Sequence, residues 1–230
     1  MKKSNILVLF LAGILSLTSC LKDDTDRTPV SIVSIGNALL NESGVYYQDG
    51  GNTITNSNGA YKGLTLFYSI AGNKNFKVLE RISNKPLIDT NLNFVDTLNY
   101  VSFVYGTTEK AHFIRGINKG LVNLGNKSGV RYFHLANGVE KSNLFIGEQT
   151  INEFLNKVVE TNETMKVSQK FIAANAGTVT IVAKDKDGNT IATKDNVNLR
   201  EGYYHDILLI GEKGNTKFPL EIVYSIYEND

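Results

Sequence analysis

The chain has 230 residues, of which 42% are hydrophobic and 20% are charged. These values suffice for a packed core, which excludes a wholly disordered chain and allows one large domain or two small ones. The 24 Lys and Arg residues nearly balance the 23 Asp and Glu residues, so the net charge is +1. This balance argues against a nucleic-acid partner, because nucleic-acid binding requires a basic surface.

The chain contains few residues that serve catalysis or metal binding. It has one Cys, three His and no Trp. It also lacks the Gly-x-Ser-x-Gly and His-Glu-x-x-His motifs of hydrolases and metalloproteases. The segment from Asp185 to Asn189 resembles a calcium loop, but an EF-hand register would place Ala183 and Lys194 at ligand positions. A hairpin turn at Asp187-Gly188 is therefore expected, and a loose Ca²⁺ site formed by oxygens of Asp185, Asp187 and Asn189 is the alternative. We therefore expect a protein that is not an enzyme and has no catalytic residue, metal or cofactor.

The N-terminus has the three parts of a secretion signal. Lys2 and Lys3 precede an apolar or small stretch at residues 6–17, which is too short to cross about 30 Å of hydrocarbon as a helix. Leu17-Thr18-Ser19-Cys20 then resembles the lipobox of bacterial lipoproteins. The resemblance implies that residues 1–19 are a cleaved signal peptide and that Cys20 is lipidated. We expect the chain to be anchored to a membrane through this residue.

Lys22, Asp23 and Asp24 follow the lipobox. This acidic motif resembles the export signal that sends lipoproteins of one phylum of Gram-negative bacteria to the outer face of the outer membrane. The implied location is the outer membrane, with the protein facing the cell exterior. We expect residues 20–29 to comprise the lipidated Cys and a flexible tether. The alternative to the export signal is that the segment from Asp23 to Thr28, which is polar throughout and is followed by Pro29, is only a solvated tether.

An internal repeat organises the rest of the chain. Val30 and the alternating residues after it align with Val130 and its successors at an offset of 100, and Tyr100-Val-Ser-Phe-Val-Tyr-Gly106 aligns with His205-Asp-Ile-Leu-Leu-Ile-Gly211 at an offset of 105. We infer two homologous modules, residues 30–118 and 129–230, joined by a linker at residues 119–128.

Each module consists of short segments rich in β-branched and aromatic residues, separated by clusters of Asn, Gly and Ser. The predicted strands include Leu64 to Ile70 and Thr190 to Leu199. The sequence therefore predicts an all-β fold of two tandem immunoglobulin-like antiparallel sandwiches. Phe133 and Leu135 are expected in a core, and Arg131 is expected to keep its charge in water.

One short helix is predicted as an insertion in the second module. Ile151, Phe154, Leu155, Val158 and Val159 have helical spacing, and Thr150 and Glu153 are spaced as a capping box. The segment from Thr150 to Glu160 would then cover a sheet face or bind a partner.

Residues 129–137 (GVRYFHLAN) and 143–147 (NLFIG) resemble the opening of the domain-of-unknown-function family 4397. The resemblance covers residues 129 to 213, and it reaches residues 30 to 118 only through the internal repeat, where Ser31 and Ser34 replace Arg131 and His134. It implies immunoglobulin-like modules of secreted or anchored bacterial proteins, and it brings no catalytic residues.

The remaining site candidates are weak signals. Arg131 and His134 lie near the start of the second module, and Tyr46 and Tyr204 belong to adjacent pairs in which one ring can be exposed for contact with a protein or a sugar. Asp96-Thr97-Leu98 matches an acceptor pattern for O-glycosylation at Thr97, although a polar turn is the alternative.

Three functions remain open. The first is a non-catalytic, surface-anchored lipoprotein that binds a protein or glycan ligand or takes part in envelope assembly. The second is a small-ligand carrier or enzyme with a pocket at the module junction, which a site formed by Arg131, His134 and an acid would favour. The third is a structural spacer.

Overall fold

The computed structural model describes residues 27–54, 59–121 and 123–228. Cys20, Lys22, Asp23 and Asp24 lie outside these residues. In the first half of the chain the strands are β1 (Val30–Leu39), β2 (Val45–Asp49), β3 (Asn52–Thr53), β4 (Leu64–Ile70), β5 (Gly72–Glu80), β6 (Pro86–Phe94), β7 (Asn99–Gly106) and β8 (Ala111–Ile117).

The second half begins at β9, two residues before the predicted module boundary. Its strands are β9 (Lys127–His134), β10 (Lys141–Ile146), β11 (Gln149–Thr150), β12 (Lys157–Val158), β13 (Ile172–Asn175), β14 (Gly177–Asp185), β15 (Thr190–Leu199), β16 (Tyr204–Ile210) and β17 (Glu221–Tyr227). A 3-10 turn (Asn152–Phe154) and helix α1 (Asn162–Ser168) interrupt the strands. The strands β4 and β15 have the bounds that the sequence predicts.

The strands form four stacked sheets. Sheet I has the order β3-β2-β5-β6, sheet II β4-β1-β7-β8, sheet III β13-β9-β16-β17 and sheet IV β11-β10-β14-β15. Three apolar cores fill the spaces between successive sheets, one inside each half and one between sheets II and III. The all-β sandwich architecture expected from the sequence is confirmed.

Pairing within the sheets is antiparallel with one exception in each half. β1 pairs with β7 in parallel, and β9 pairs with β16 in parallel. The sheets are thus antiparallel, as expected, except for these two parallel pairs. Parallel neighbours need a long connection, and the strands between β1 and β7, or between β9 and β16, supply it.

Strand order and register repeat between the two halves. Ile32 pairs with Asn99 in the first half, and Gly129 pairs with Tyr204 in the second. If β7 and β16 correspond at an offset of 105, β1 and β9 correspond at an offset of 97. The alignment of Val30 with Val130 was therefore three residues out of register. The change from 97 to 105 corresponds to eight additional residues in the second half, between β11 and β13.

The two halves pack through the same face of the equivalent sheets II and III, as subunits do in an isologous dimer. Phe103 of β7 contacts Phe133 of β9, with ring centroids 4.7 Å apart. Leu135, Leu208 and Met165 are buried in the same intersheet core. Because the halves share this core, their division into two independent modules stays a prediction.

The helix lies later in the chain than its apolar spacing predicts. The expected segment from Thr150 to Glu160 forms only the 3-10 turn and the strand β12, because Leu155 is extended and Asn156 has a positive φ of 53°. Asn156 N–H donates to Asn143 Oδ1 at 2.8 Å. Helix α1 begins instead after Thr161, whose hydroxyl accepts from the amides of Glu163 and Thr164.

Candidate functional site

Arg131 is fully buried in sheet III, so the expectation that its charge lies in water was wrong. Its Nε donates to Asp206 Oδ1 at 2.6 Å, and its Nη2 donates to Asp206 Oδ2 at 3.1 Å. Nη1 donates to the Gln169 carbonyl at 3.0 Å, and Nη2 also donates to the Tyr227 hydroxyl at 2.9 Å. The guanidinium lies 4.2 Å above the Phe171 ring centroid. These partners satisfy the guanidinium inside the protein.

The Tyr227 hydroxyl links this ion pair to the segment between the halves. It donates to Asp206 Oδ1 at 3.1 Å and to Asn118 Oδ1 at 3.2 Å. Burial, followed by the negative charge of Asp206, raises the pKa of Tyr227 far above its usual range. The cluster of Arg131, Asp206 and Tyr227 therefore stabilises the junction.

His134 lies on the opposite face of β9 from Arg131, so these two residues do not form a common site. Its Nε2 is 3.0 Å from the Val139 carbonyl oxygen, and its Nδ1 is 3.4 Å from the Ala136 amide. Burial lowers the pKa of His134 to about 4. The neutral ring donates from Nε2 and accepts at Nδ1, which makes His134 a bridge within its own loop.

The two tyrosine pairs each have one buried and one more accessible member, but Tyr204 is the buried one. It is 4% exposed, and its hydroxyl donates to the Leu121 carbonyl at 2.8 Å. Tyr203 is the more accessible ring of that pair, and a role for Tyr204 as a ligand contact stays a prediction. Tyr46 is half-buried, and the Arg81 guanidinium lies 4.9 Å from its ring centroid.

Thr97 is exposed in the turn between β6 and β7, where a glycan could be attached. Its φ of 65° is unusual for a β-branched residue. The preceding Asp96 accepts from the Val30 amide at 2.9 Å and forms an ion pair with Arg27. The turn therefore holds the start of β1, and glycosylation of Thr97 stays a prediction.

The turn between β14 and β15 is a hairpin, as expected. Gly188 has a φ of 86°, and Asp185 Oδ1 accepts from the amides of Asp187 and Asn189 at 3.0 and 2.9 Å. The carboxylate thus stabilises the turn. In the described part of the chain, no group of three or more His, Cys, Asp or Glu residues could hold a metal ion.

The most unusual surface is a stripe of exposed apolar side chains on β4. The stripe consists of Leu64, Leu66, Tyr68 and Ile70, which are 52 to 70% exposed. The residues between them are buried, and Ser69 donates to Asp49 at 2.7 Å. The alternation along β4 was visible in the sequence, but it did not reveal that the polar residues face the core.

The strand β4 is also an unpaired edge. Among the edge strands of five or more residues that the structure describes, it is the one without Asp, Glu, Lys or Arg. The others carry charged residues at Asp89 in β6, Arg115 in β8, Lys194 and Asp195 in β15, and Glu221 in β17. Charges protect an edge from pairing with other chains, so β4 lacks a protection that its counterparts have.

A groove of about 190 Å³ runs from this stripe into the space between sheets II and III. We call it the junction groove. Its walls include Gly36 and Leu64 of the first half and Leu208, Val223 and Ser225 of the second. Asp206 also reaches the groove, although Arg131 already neutralises it. A pocket at the module junction was one of the alternatives, but neither Arg131 nor His134, which were expected to line it, lines this groove.

A wider, polar cleft of about 740 Å³ lies beside the segment between the halves. Residues 117–121 and 123–125 form much of its wall, together with Thr97 and Tyr204. Backbone of the connecting segment therefore dominates this cleft, and neither Arg131 nor His134 lines it.

Comparisons with known proteins add no family. No family model matches the chain, and no curated protein matches it. One similar solved structure is a family 26 carbohydrate-binding module of Amy13K from Eubacterium rectale, in complex with maltoheptaose. It is 8% identical, the match covers 87% of this chain and 97% of that chain, and the TM-score is 0.28.

Another is a leucine-rich repeat protein from Bacteroides thetaiotaomicron, which is 12% identical. That match covers 84% of this chain and 27% of that chain, with a TM-score of 0.20. Likenesses at these TM-scores carry no argument about ligand or activity. In the described residues, no helix is long and apolar enough to cross a membrane.

Proposed function

We propose that the chain is a non-catalytic, surface-anchored lipoprotein that acts as a binding or envelope-assembly module through the stripe on β4. The stripe is the observation that carries the proposal, because contiguous exposed apolar residues mark contact surfaces. The lipobox at Cys20 and the motif Lys22-Asp23-Asp24 support the anchoring and the surface location.

The chemistry of the stripe favours a protein partner over a glycan. Three of its four side chains are aliphatic, and Tyr68 supplies the one ring. Sugar recognition uses flat aromatic rings together with polar groups, whereas aliphatic side chains gain mainly from excluding water. The carbohydrate alternative would instead require a polar surface around accessible tyrosines such as Tyr203.

The alternative of a small-ligand carrier or enzyme has less support. The junction groove, at about 190 Å³, is smaller than the roughly 300–1,000 Å³ of typical small-molecule sites, which are mostly apolar. The cleft of about 740 Å³ is within that range, but its lining is polar and includes neither Arg131 nor His134. Arg131 and His134, which would have supplied a polar site, are engaged within the protein on opposite faces of β9. The spacer alternative predicts that nothing binds the stripe.

Photo-crosslinking in the native host tests the proposal. A photoreactive phenylalanine analogue replaces Tyr68 in the full-length protein, and a matched control carries it at Ile82, an apolar residue that is 80% exposed outside the stripe. We expect a discrete adduct with an envelope protein from position 68 and none from position 82. Equal labelling at both positions, or no adduct at position 68, contradicts the proposed contact surface.

A further inference from the structure

The interface between sheets II and III has two ends, one covered by helix α1 and one that contains the junction groove. At one end, α1 packs against β8 and β9, and its Met165 is fully buried in the intersheet core. The side chain of Met165 lies so close to Gly116 that an added Cβ there would be 2.7 Å from its terminal methyl group. At the other end lies the junction groove.

The residues that line the groove are the counterparts of those that α1 covers. At offsets of 97 and 105, Gly36 corresponds to Phe133 and Leu208 corresponds to Phe103. The contact between Phe103 and Phe133 therefore has Leu208 and Gly36 as its counterpart, and Gly36 brings no ring. The ring of Phe103 packs against Gly36 instead, so that an added Cβ there would lie 2.9 Å from Phe103 Cδ1.

The same correspondence extends to the neighbouring edge strands. Ile117 pairs with Tyr100 and Ile226 pairs with His205, so Gly116, which contacts Met165, corresponds to Ser225 in the groove wall. Gln169 Oε1 accepts from the Ile117 amide at 2.6 Å. Gln169 corresponds to Leu64 at the offset of 105, and Ile117 corresponds to Ile226. These two counterparts, Leu64 and Ile226, are 55% and 41% exposed.

The described residues between β3 and β4 of the first half contain no helix, and the second half has eight additional residues in the equivalent segment between β11 and β13. Within that segment Thr161 caps the helix, and the buried Glu160 accepts from Ser168 at 2.8 Å and pairs with Lys157 at 2.8 Å. One end of the interface is thus closed by a well-anchored helix. Within the part of the chain that the structure describes, no helix closes the other end, where the junction groove lies and Leu64 of the stripe forms part of its wall.

We propose that the junction groove is the docking site for a helical segment of a partner protein, which takes the place that α1 occupies at the opposite end of the same interface. The segment inserts one long apolar side chain into the groove beside Leu208 and Ser225, as Met165 does beside Gly116, the counterpart of Ser225. It also covers Leu64 and Leu66 of the stripe. This inference rests on the proposed function and adds the conformation and chemistry of the partner.

Crosslinking at the rim of the groove tests the conformation of the partner. The photoreactive residue replaces Leu64 in the full-length protein in the native host, and the labelled residues of the partner are identified by mass spectrometry. We expect the same partner as from position 68, with labelled residues spaced three or four apart, as on one face of a helix.

Filling the groove tests the insertion. Ser225→Leu occupies the space of the inserted side chain and should lower the adduct yield at position 68 by about tenfold, the loss expected when one buried apolar side chain is excluded. The control Thr193→Leu adds similar bulk to β15 in sheet IV and should leave the yield unchanged. Leu64→Lys, at an exposed position, gives a second variant that does not alter a core. The melting temperature of each variant reports on folding.

Four results overturn this inference while the proposed function stands. They are labelled residues spaced two apart, which indicate a strand added to β4; an adduct with a second copy of this chain; an adduct with lipid at position 64 while position 68 labels an envelope protein; and an undiminished yield in a folded Ser225→Leu protein. An adduct at position 68 without one at position 64 also overturns it. The absence of adducts at both positions removes the proposed function itself.

Discussion

Arg131 and Asp206 lie side by side on the parallel strands β9 and β16, and their side chains form a bidentate ion pair that is almost wholly excluded from solvent. The pair sits at the edge of the intersheet core, beside Phe171 and Tyr227. A buried ion pair of this kind is costly to break, because removal of one partner leaves the other charge without compensation.

Arg131→Ala is expected to destabilise the protein by about 3 to 5 kcal/mol, since Asp206 would remain buried and unpaired. Denaturant unfolding of the purified protein measures this change. The double variant Arg131→Met with Asp206→Leu should recover much of the loss, because it removes both charges. Arg200→Ala, at an exposed arginine, is the control and should change stability by less than about 0.5 kcal/mol. A small effect of Arg131→Ala would contradict the buried geometry.

His134 should make stability depend on pH. Its pKa is lowered by burial to about 4 in the folded protein, whereas an unfolded histidine has a pKa of about 6.5. The unfolded state therefore binds the proton first, and stability falls as the pH drops from about 6.5 to 4. The expected loss over this window is about 3 kcal/mol.

Unfolding free energies at pH 7 and pH 4.5 measure this dependence. His134→Gln should reduce it, while His112→Gln, at an exposed position, should leave it unchanged. Burial also lowers the pKa of His205, so part of the dependence should persist in the His134 variant. An identical pH profile in the His134 variant and the wild type would show that this ring does not carry the effect.

The isolated second half should not behave as an independent soluble module. A fragment of residues 127–230 retains the core between sheets III and IV but exposes Phe133, Leu135 and Leu208. We expect it to associate through this face, because the first half presents the equivalent face in the intact chain. Analytical ultracentrifugation of the fragment, with and without Leu208→Lys, checks this. A monomeric fragment that unfolds cooperatively would support independent modules instead.

Cys20→Ala should abolish lipidation and membrane retention, since the apolar stretch at residues 6–17 is too short to span a bilayer. Incorporation of labelled fatty acid and fractionation of membranes measure the two effects. Ser19→Ala, beside the lipidated residue, is the control and should remain lipidated. Equal label in the wild type and the Cys20 variant would refute the anchor.

Replacement of Lys22, Asp23 and Asp24 by Ala should leave the protein lipidated but protect it from protease added to intact cells. The reason is that these residues are expected to direct export of the lipidated protein, whereas the lipid at Cys20 alone forms the anchor. Cleavage of the triple variant at the wild-type rate would show that surface export does not depend on this motif.

The sequence was sufficient to predict strands such as β4 and β15, because the preference of β-branched and aromatic residues for extended backbone acts within one segment. It was insufficient for the helix. Apolar spacing favoured residues 150–160, but Asn156 ended the turn there, and α1 uses Thr164 at the position where a capping box usually has Glu or Gln.

The site was less predictable than the fold because it depends on packing between distant segments. Arg131 looked like a surface residue, since a charge on a strand is ordinarily exposed, and only the sheet facing β9 buries it. The exposure of the stripe was not predictable for the opposite reason, since apolar side chains on a strand are ordinarily buried. Nothing within residues 64–70 indicates that the second half leaves the outer face of β4 uncovered.

The additional eight residues of the second half also set how many neighbours one chain can hold through this interface. A protein with two equivalent open ends could bind one neighbour at each end and so form a row of molecules along the membrane surface. Closure of one end by α1 leaves a single accessible end, so association through it terminates at one neighbour per chain. The asymmetry between the halves therefore favours a complex of fixed stoichiometry over an open polymer.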